Sequence, residues 1–268
     1  MYSLMISIGG AIAVDATFWL GLDSPWWGLT LAFLTFFALQ AAIGIKMKNR
    51  VQQVMTRVQG ILAEGQKRLQ TKMARWRIRP PGSMKDAQRE IERDQRLFVK
   101  EALEATEDLR AFKRWIPLME RQIATAQFQL YWMLKDFAKV DELLPKAIFA
   151  DGSSRAMRLA RMFATGAGTE EMAKFHKKGS RRARYNENVL FDATWSWILV
   201  KKGDLDGAFR YLTEALKNSD NAVLKANHIA LMNNRPTHFS NAGLGDQWYA
   251  LFLEEPKIRR ERPRMQWR

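Results

Sequence analysis

The sequence predicts an all-α protein on three observations: two charge-poor apolar runs near the N-terminus, a four-three apolar seam directly after them, and an internal repeat whose copies lie 68 residues apart. In chain order these divide into a two-helix hairpin over 1–46, a basic helical stalk and linker over 47–82, a helical-repeat domain over 83–254 and a basic tail over 255–268.

Trp26 to Ile45 carries no charged residue and has the length, about 20 residues, that crosses a ~30 Å hydrocarbon layer as a helix. Ser3 to Leu22 is a second apolar run, and Gly21-Leu22-Asp23-Ser24-Pro25 between them is turn-forming, so the pair is expected to form a transmembrane hairpin. A cleaved signal peptide is the competing reading, but a basic leading segment and a small-residue cleavage site are both missing. Lys46, Lys48, Arg50 and Arg57 crowd the exit of the second run, which predicts cytoplasmic termini, as in a bacterial inner membrane, and puts Trp26 and Trp27 at the opposite interface. Ser3, Ser7, Ala11 and Asp15 recur every four residues on one face of the first run, as Ala38 and Ala42 do in the second, a spacing of small residues that suits close helix packing. Asp15 inside an apolar run calls for an interfacial position, a hydrogen-bond partner or a proton or ion relay.

Past the second run, Val51, Met55, Val58, Leu62, Leu69 and Trp76 form the seam of a stalk, with Gly60, Gly65 and Lys72 as its weak positions. Two partners for the seam stand open: another copy of the chain, or the chain's own later helices. Lys67, Arg68, Arg75 and Arg77 occupy the other face, within reach of anionic lipid or simply solvated. Pro80-Pro81-Gly82 ends the stalk and Ser83 is placed to cap a helix reaching about Trp115, with Ile91, Leu97, Phe98, Ala102, Leu103, Leu109 and Phe112 as its apolar stripe and Pro117 as the next boundary.

The repeat aligns Leu134–Ile148 with Lys202–Leu216 without a gap, an offset of twice 34 residues. From Asp192 to Leu216, Trp195, Ser196, Leu199, Gly203-Asp204, Ala208, Leu212 and Ala215 stand at the spacings of the tetratricopeptide repeat (TPR), and the chain resembles that superfamily there. The earlier copy matches at Tyr131, Phe137, Leu144 and Ala147 but has Phe128 and Val140 where the family carries small residues. Between the copies, 153–178 reads as two short helices joined at Thr165-Gly166-Ala167-Gly168; beyond them, 222–232 and 246–253 read as a degenerate fourth pair. The resemblance implies a TPR-like α-solenoid holding a protein partner in a groove lined by first helices, which by repeat position contains Gln129, Trp132, Trp197 and Lys201.

Composition narrows the chemistry. Residues 1–45 contain no Lys or Arg, so the formal charge of +15 is concentrated after Lys46 and favours anionic partners. Zero cysteines exclude disulfides, thiol catalysis and cysteine-ligated metals. His176, His228 and His238 lack metal-ligand spacing and suit surface or packing roles, and Thr165–Thr169 lacks the Gly-Lys-Ser/Thr of a phosphate loop, with Thr169 better placed as a helix cap. No catalytic, cofactor or metal site is expected. Two basic clusters, Lys177, Lys178, Arg181, Arg182 and Arg184, and Lys257, Arg259, Arg260, Arg262, Arg264 and Arg268, suit anionic lipid or, less well, nucleic acid, and are otherwise solubilising. The expected function is a non-enzymatic, membrane-tethered scaffold for protein partners; the alternative is a membrane-bound binder of anionic lipid or nucleic acid.

Overall fold

The computed structural model describes residues 2–21, 25–78, 82–181 and 184–256, and within them the side chains other than those of 18–21, 25–27, 77, 78 and 84. It is all-helical, with no strand among the described residues, and divides into a unit of residues 1–148 and a unit of residues 149–268. That division falls inside the expected 83–254 domain, because the stalk is tied to the helices that follow it.

In the first unit, α1 (Tyr2–Gly21) lies along the first half of α2 (Pro25–Ile78). Ser3, Ser7, Ala11 and Asp15 do share the inward face of α1, with Ser7 fully buried. On α2 the inward residues are Ala32, Leu39, Ile43 and Met47, while Ala38 and Ala42 are exposed, so the small pair singled out from the sequence is not the contact face. One carboxylate oxygen of Asp15 is buried without a hydrogen-bond partner among the described residues. Trp26, Trp27 and Asp23 lie outside the described side chains. Of the described helices, α2 is long and apolar enough to cross a membrane; the apolar stretch of α1, Tyr2–Thr17, is shorter.

The 54 residues of α2 would extend roughly 80 Å at 1.5 Å per residue, and its second half carries the seam. Val51, Val54 and Met55 pack on Leu109, Met119 and Ile123; Val58, Ile61, Leu62 and Leu69 pack on Phe98, Val99, Ala102, Ala105 and Leu130. The seam is therefore occupied by the chain's own later helices, and its two oddest residues have local reasons. Gly65 leaves room for the Phe98 ring, which three ring carbons would bring within 3.0 Å of any added Cβ. Lys72 reaches Glu90 at 2.7 Å and also Asp94, and these two carboxylates raise its pKa, the Asp94 bond contributing most.

The partner helix α3 (Met84–Glu107) begins where Ser83 accepts a hydrogen bond from Lys85 N at 3.2 Å. It stops earlier than expected, passing into a 3₁₀ turn over Asp108–Phe112. Its buried stripe is Phe98, Val99, Ala102, Ala105 and Leu109; Leu97, expected in the stripe, is 62% exposed because it sits one step of about 100° off that face. Leu118, after Pro117, takes a left-handed φ of 65° and precedes α4 (Met119–Met133), which turns back through Lys135 into α5 (Phe137–Leu143).

In the second unit, α6 (Gly152–Ala164) and α7 (Thr169–Ser180) form the expected short pair, with Gly168 rather than Thr169 at the cap position. α8 (Val189–Lys201) is buried from Leu190 to Leu199 without a polar face, contacting α6 and α9 (Leu205–Ala215). α10 (Ala222–Met232) spans the expected residues, whereas 246–253 holds only the single turn of α11 (Asp246–Tyr249).

The two repeat copies share a turn. Gly203 adopts φ 83° and its counterpart Lys135 adopts φ 58°; Asp204 and Asp136 then cap the following helix by accepting from the amide three residues on, at 2.8 and 3.2 Å. They diverge afterwards: α5 ends at Leu143, with Leu144 still helical at φ −47° and ψ −47°, because Pro145 has no N–H to donate the next helical bond.

Candidate functional site

The most elaborate side-chain arrangement in the second unit surrounds α8. Asp192, buried in its first turn, accepts from the Tyr211 hydroxyl of α9 at 2.5 Å, and that oxygen lies 3.0 Å from His176 Nε2 of α7. Since the single tyrosine proton is spent on the carboxylate, His176 must be the donor to the tyrosine oxygen, which fixes the Nε2–H tautomer. Ser180 Oγ lies 3.3 Å from the same nitrogen and donates to the His176 carbonyl. The imidazole stacks on Trp195 and lies against Phe191, at centroid distances of 5.4 and 4.5 Å.

Burial pushes the His176 pKa down, against the opposing pull of Asp192 3.5 Å away, so the ring is neutral. The Tyr211 hydroxyl is pushed well above its usual value of 10.0, first by burial and then by Asp192. A neutral imidazole that donates to an un-ionised phenol, which in turn donates to the Asp192 carboxyl group, makes a polar joint between α7, α8 and α9. Among the described residues no cluster of His, Cys, Asp or Glu could hold a metal ion. His176, 4% exposed between Phe191 and Trp195, packs in the core, and Tyr211 and Asp192, which complete the joint, had no motif to announce them.

Beside this joint is a cleft of about 180 Å³ lined by Ser180, Arg184, Asn186, Asn188, Tyr211 and Glu214 among others. Asn188 gives its carbonyl to Arg155 at 3.1 Å and keeps a buried amide nitrogen with no partner among the described residues.

The groove residues separate by exposure. Trp132 is 2% exposed, ringed by Phe128 and Phe137, and Trp197 is 5% exposed, edge-on to Phe163 at 5.2 Å and near Trp248 at 5.8 Å. Glu254 accepts from the Trp197 and Trp248 indoles at 2.8 and 2.9 Å. Both expected anchors are therefore core residues of their own units and offer no face to a partner. Gln129 is exposed on α4; Lys201 is exposed at the end of α8, its ammonium 5.1 Å from the Trp197 ring centroid and 4.0 Å from Glu254.

In the first basic cluster, Lys177 and Lys178 sit in the last turn of α7, where cations oppose the helix dipole, and Arg181 caps it. With Arg184 they are exposed, and among the described residues no carboxylate pairs with their side chains. Arg182 and the second cluster, Arg259, Arg260, Arg262 and Arg264 included, lie outside the described residues.

No family model matches the chain, and no curated protein or solved structure matches it significantly.

Proposed function

We propose that this protein is a non-enzymatic, membrane-tethered, TPR-like scaffold that binds protein partners at the cytoplasmic face of a bacterial inner membrane, with the hairpin of α1 and α2 as its anchor. The observation that carries the tether is exposure. Only 11% of the most apolar stretch of α2 is buried, whereas a soluble core helix hides its apolar side chains. Among the described residues, twelve of the nineteen most exposed large hydrophobics belong to α1 or to α2 before Lys46. Such a belt suits a lipid environment and supports the tether.

The scaffold reading is supported by the continuity of α2, which joins that belt to a packed helical body, and by the α8–α9 hairpin, where Ala208 and Leu212 are fully buried at TPR spacings. Because Trp132 and Trp197 are buried, partner contact falls to exposed side chains of each unit by itself: Gln129 in the first, and Lys201, Lys177, Lys178, Arg181 and Arg184 in the second. The test is in-cell crosslinking followed by purification from gently solubilised membranes, with nuclease treatment. A stoichiometric protein that survives nuclease and is lost from a folded Lys201→Glu or Lys177→Glu/Lys178→Glu variant supports the scaffold. Capture that is indifferent to all of these refutes the surface.

The second reading, a membrane-bound binder of anionic lipid or nucleic acid, is favoured by the exposed cations of the α7 ridge, which no carboxylate among the described residues pairs. Nucleic-acid binding through four such charges would weaken steeply with salt; salt-insensitive association counts against it.

A further inference from the structure

A cleft of about 330 Å³ opens between α1, α2 and the Lys113–Leu118 loop, with Ser3, Gln40, Met47, Lys48, Trp115 and Gln122 on its walls. Its depth follows from the helix register. Gly10 faces Leu39, so the antiparallel Ser3 lies level with Met47 and Lys48. That level is just past Ile45, where the uncharged run ends, and in the membrane reading proposed above, on which this inference rests, it is the boundary between hydrocarbon and headgroups.

The loop is locked there by contacts 112 residues apart in sequence. Tyr2 N donates to the Arg114 carbonyl at 3.1 Å, Arg114 donates to the Tyr2 hydroxyl at 3.0 Å, and Ser3 Oγ donates to the Trp115 carbonyl at 3.3 Å. Tyr2 and Trp115 meet edge to face at 5.6 Å, an aromatic pair of the kind favoured at membrane interfaces. Leu118, 60% exposed, extends the loop's apolar surface.

Charge identifies the occupant. Stretches 46–57 and 113–121 contain seven basic residues and one acid, Glu120, which is engaged by Lys113 at 3.1 Å; Arg57 pairs with Asp108 at 3.2 Å, and the balance remains basic. Lys48 is on the cleft wall among neutral amide and hydroxyl groups, able to serve a phosphate diester, and the exposed apolar side chains Phe33, Phe37 and Ile45 of α2 continue toward the hydrocarbon for its acyl chains.

We propose that this cleft seats the headgroup of an anionic phospholipid, with Lys48 as its phosphate partner and the Lys113–Leu118 loop as a second contact of the cytoplasmic body with the membrane surface. The tether then has a fixed orientation, because the body is attached to the bilayer at two places.

The test uses the full chain in phosphatidylcholine nanodiscs carrying a trace of spin-labelled phosphatidylglycerol or, in parallel, spin-labelled phosphatidylcholine, reading the fraction of immobilised lipid. Wild type should prefer phosphatidylglycerol; Lys48→Gln should lower the preference about fivefold, the effect of one basic side chain near an anionic surface, and Lys48→Arg should retain it. Added inorganic phosphate should leave the preference in place. Equal preference in wild type and Lys48→Gln overturns the site, as does loss that tracks Lys177→Gln/Lys178→Gln instead. Alkaline carbonate extraction separates the two levels: release from native membranes refutes the membrane reading and the site together, while retention without lipid preference refutes the site alone.

Discussion

Replacing Gly65 by Ala should destabilise the native protein and stabilise a protein lacking the Phe98 ring. At an interior helical position Ala is favoured over Gly by about 1 kcal/mol. Against that, the new Cβ falls within 3.0 Å of three Phe98 ring carbons, where ordinary carbon contacts are ~3.5–4.0 Å. Phe98 is 9% exposed and hemmed in by Val58 and Ala102, so the ring yields only by shifting α3 off α2. Overpacking of this kind costs about 1–3 kcal/mol, so the net effect is a loss of up to about 2 kcal/mol. Phe98→Ala alone should cost about 3–5 kcal/mol. In that background the clash is gone and Gly65→Ala should recover about 1 kcal/mol, so the sign of the same substitution reverses. Thermal unfolding of all four proteins in one mild detergent, followed by circular dichroism, reads the difference at about 2–4 °C per kcal/mol. A Gly65→Ala protein stabilised equally in both backgrounds would show that the ring does not sit over the glycine. A change in oligomeric state without coupling to Phe98 would return the seam to pairing between copies.

Other outcomes follow from the α8 joint and its neighbours. The unfolded His176 imidazole takes up a proton below about pH 6.5, and the folded ring, its pKa lowered by burial, resists doing so. Stability should be full above that value and fall as pH drops toward the folded pKa, by at most about 1.4 kcal/mol per pH unit; His176→Gln should flatten this part of the profile in pH-dependent denaturation. Tyr211→Phe removes the donor to a buried carboxylate and should cost about 1.5–3 kcal/mol in urea unfolding. Glu254→Ala leaves the indole N–H groups of Trp197 and Trp248 without their acceptor, with an expected cost of about 1–3 kcal/mol and a change in tryptophan emission; unchanged stability and emission would mean that water replaces the carboxylate at no cost.

Much of the helical skeleton is legible locally. The Gly203-Asp204 and Lys135-Asp136 turns, the Ser83 cap and the α10 boundaries follow from capping chemistry and proline and glycine placement, which act over a few residues. The same locality explains one misplacement: Leu97 lies a single residue off the true stripe, an error that periodicity does not resolve when apolar residues are adjacent.

Sequence by itself determined the all-helical class, the uncharged run before Lys46, the seam that follows it and the repeat, because each is a periodic or compositional property readable along one helix. Only the tertiary structure decided what the seam faces, why Gly65 and Lys72 interrupt it, and that Trp132 and Trp197 are core residues. It also decided that Tyr2 and Arg114, and His176, Asp192 and Tyr211, meet. Those outcomes depend on contacts between residues far apart in the chain, and an aromatic or charged side chain at a given helical position has the same local signature whether a neighbouring helix or solvent lies opposite.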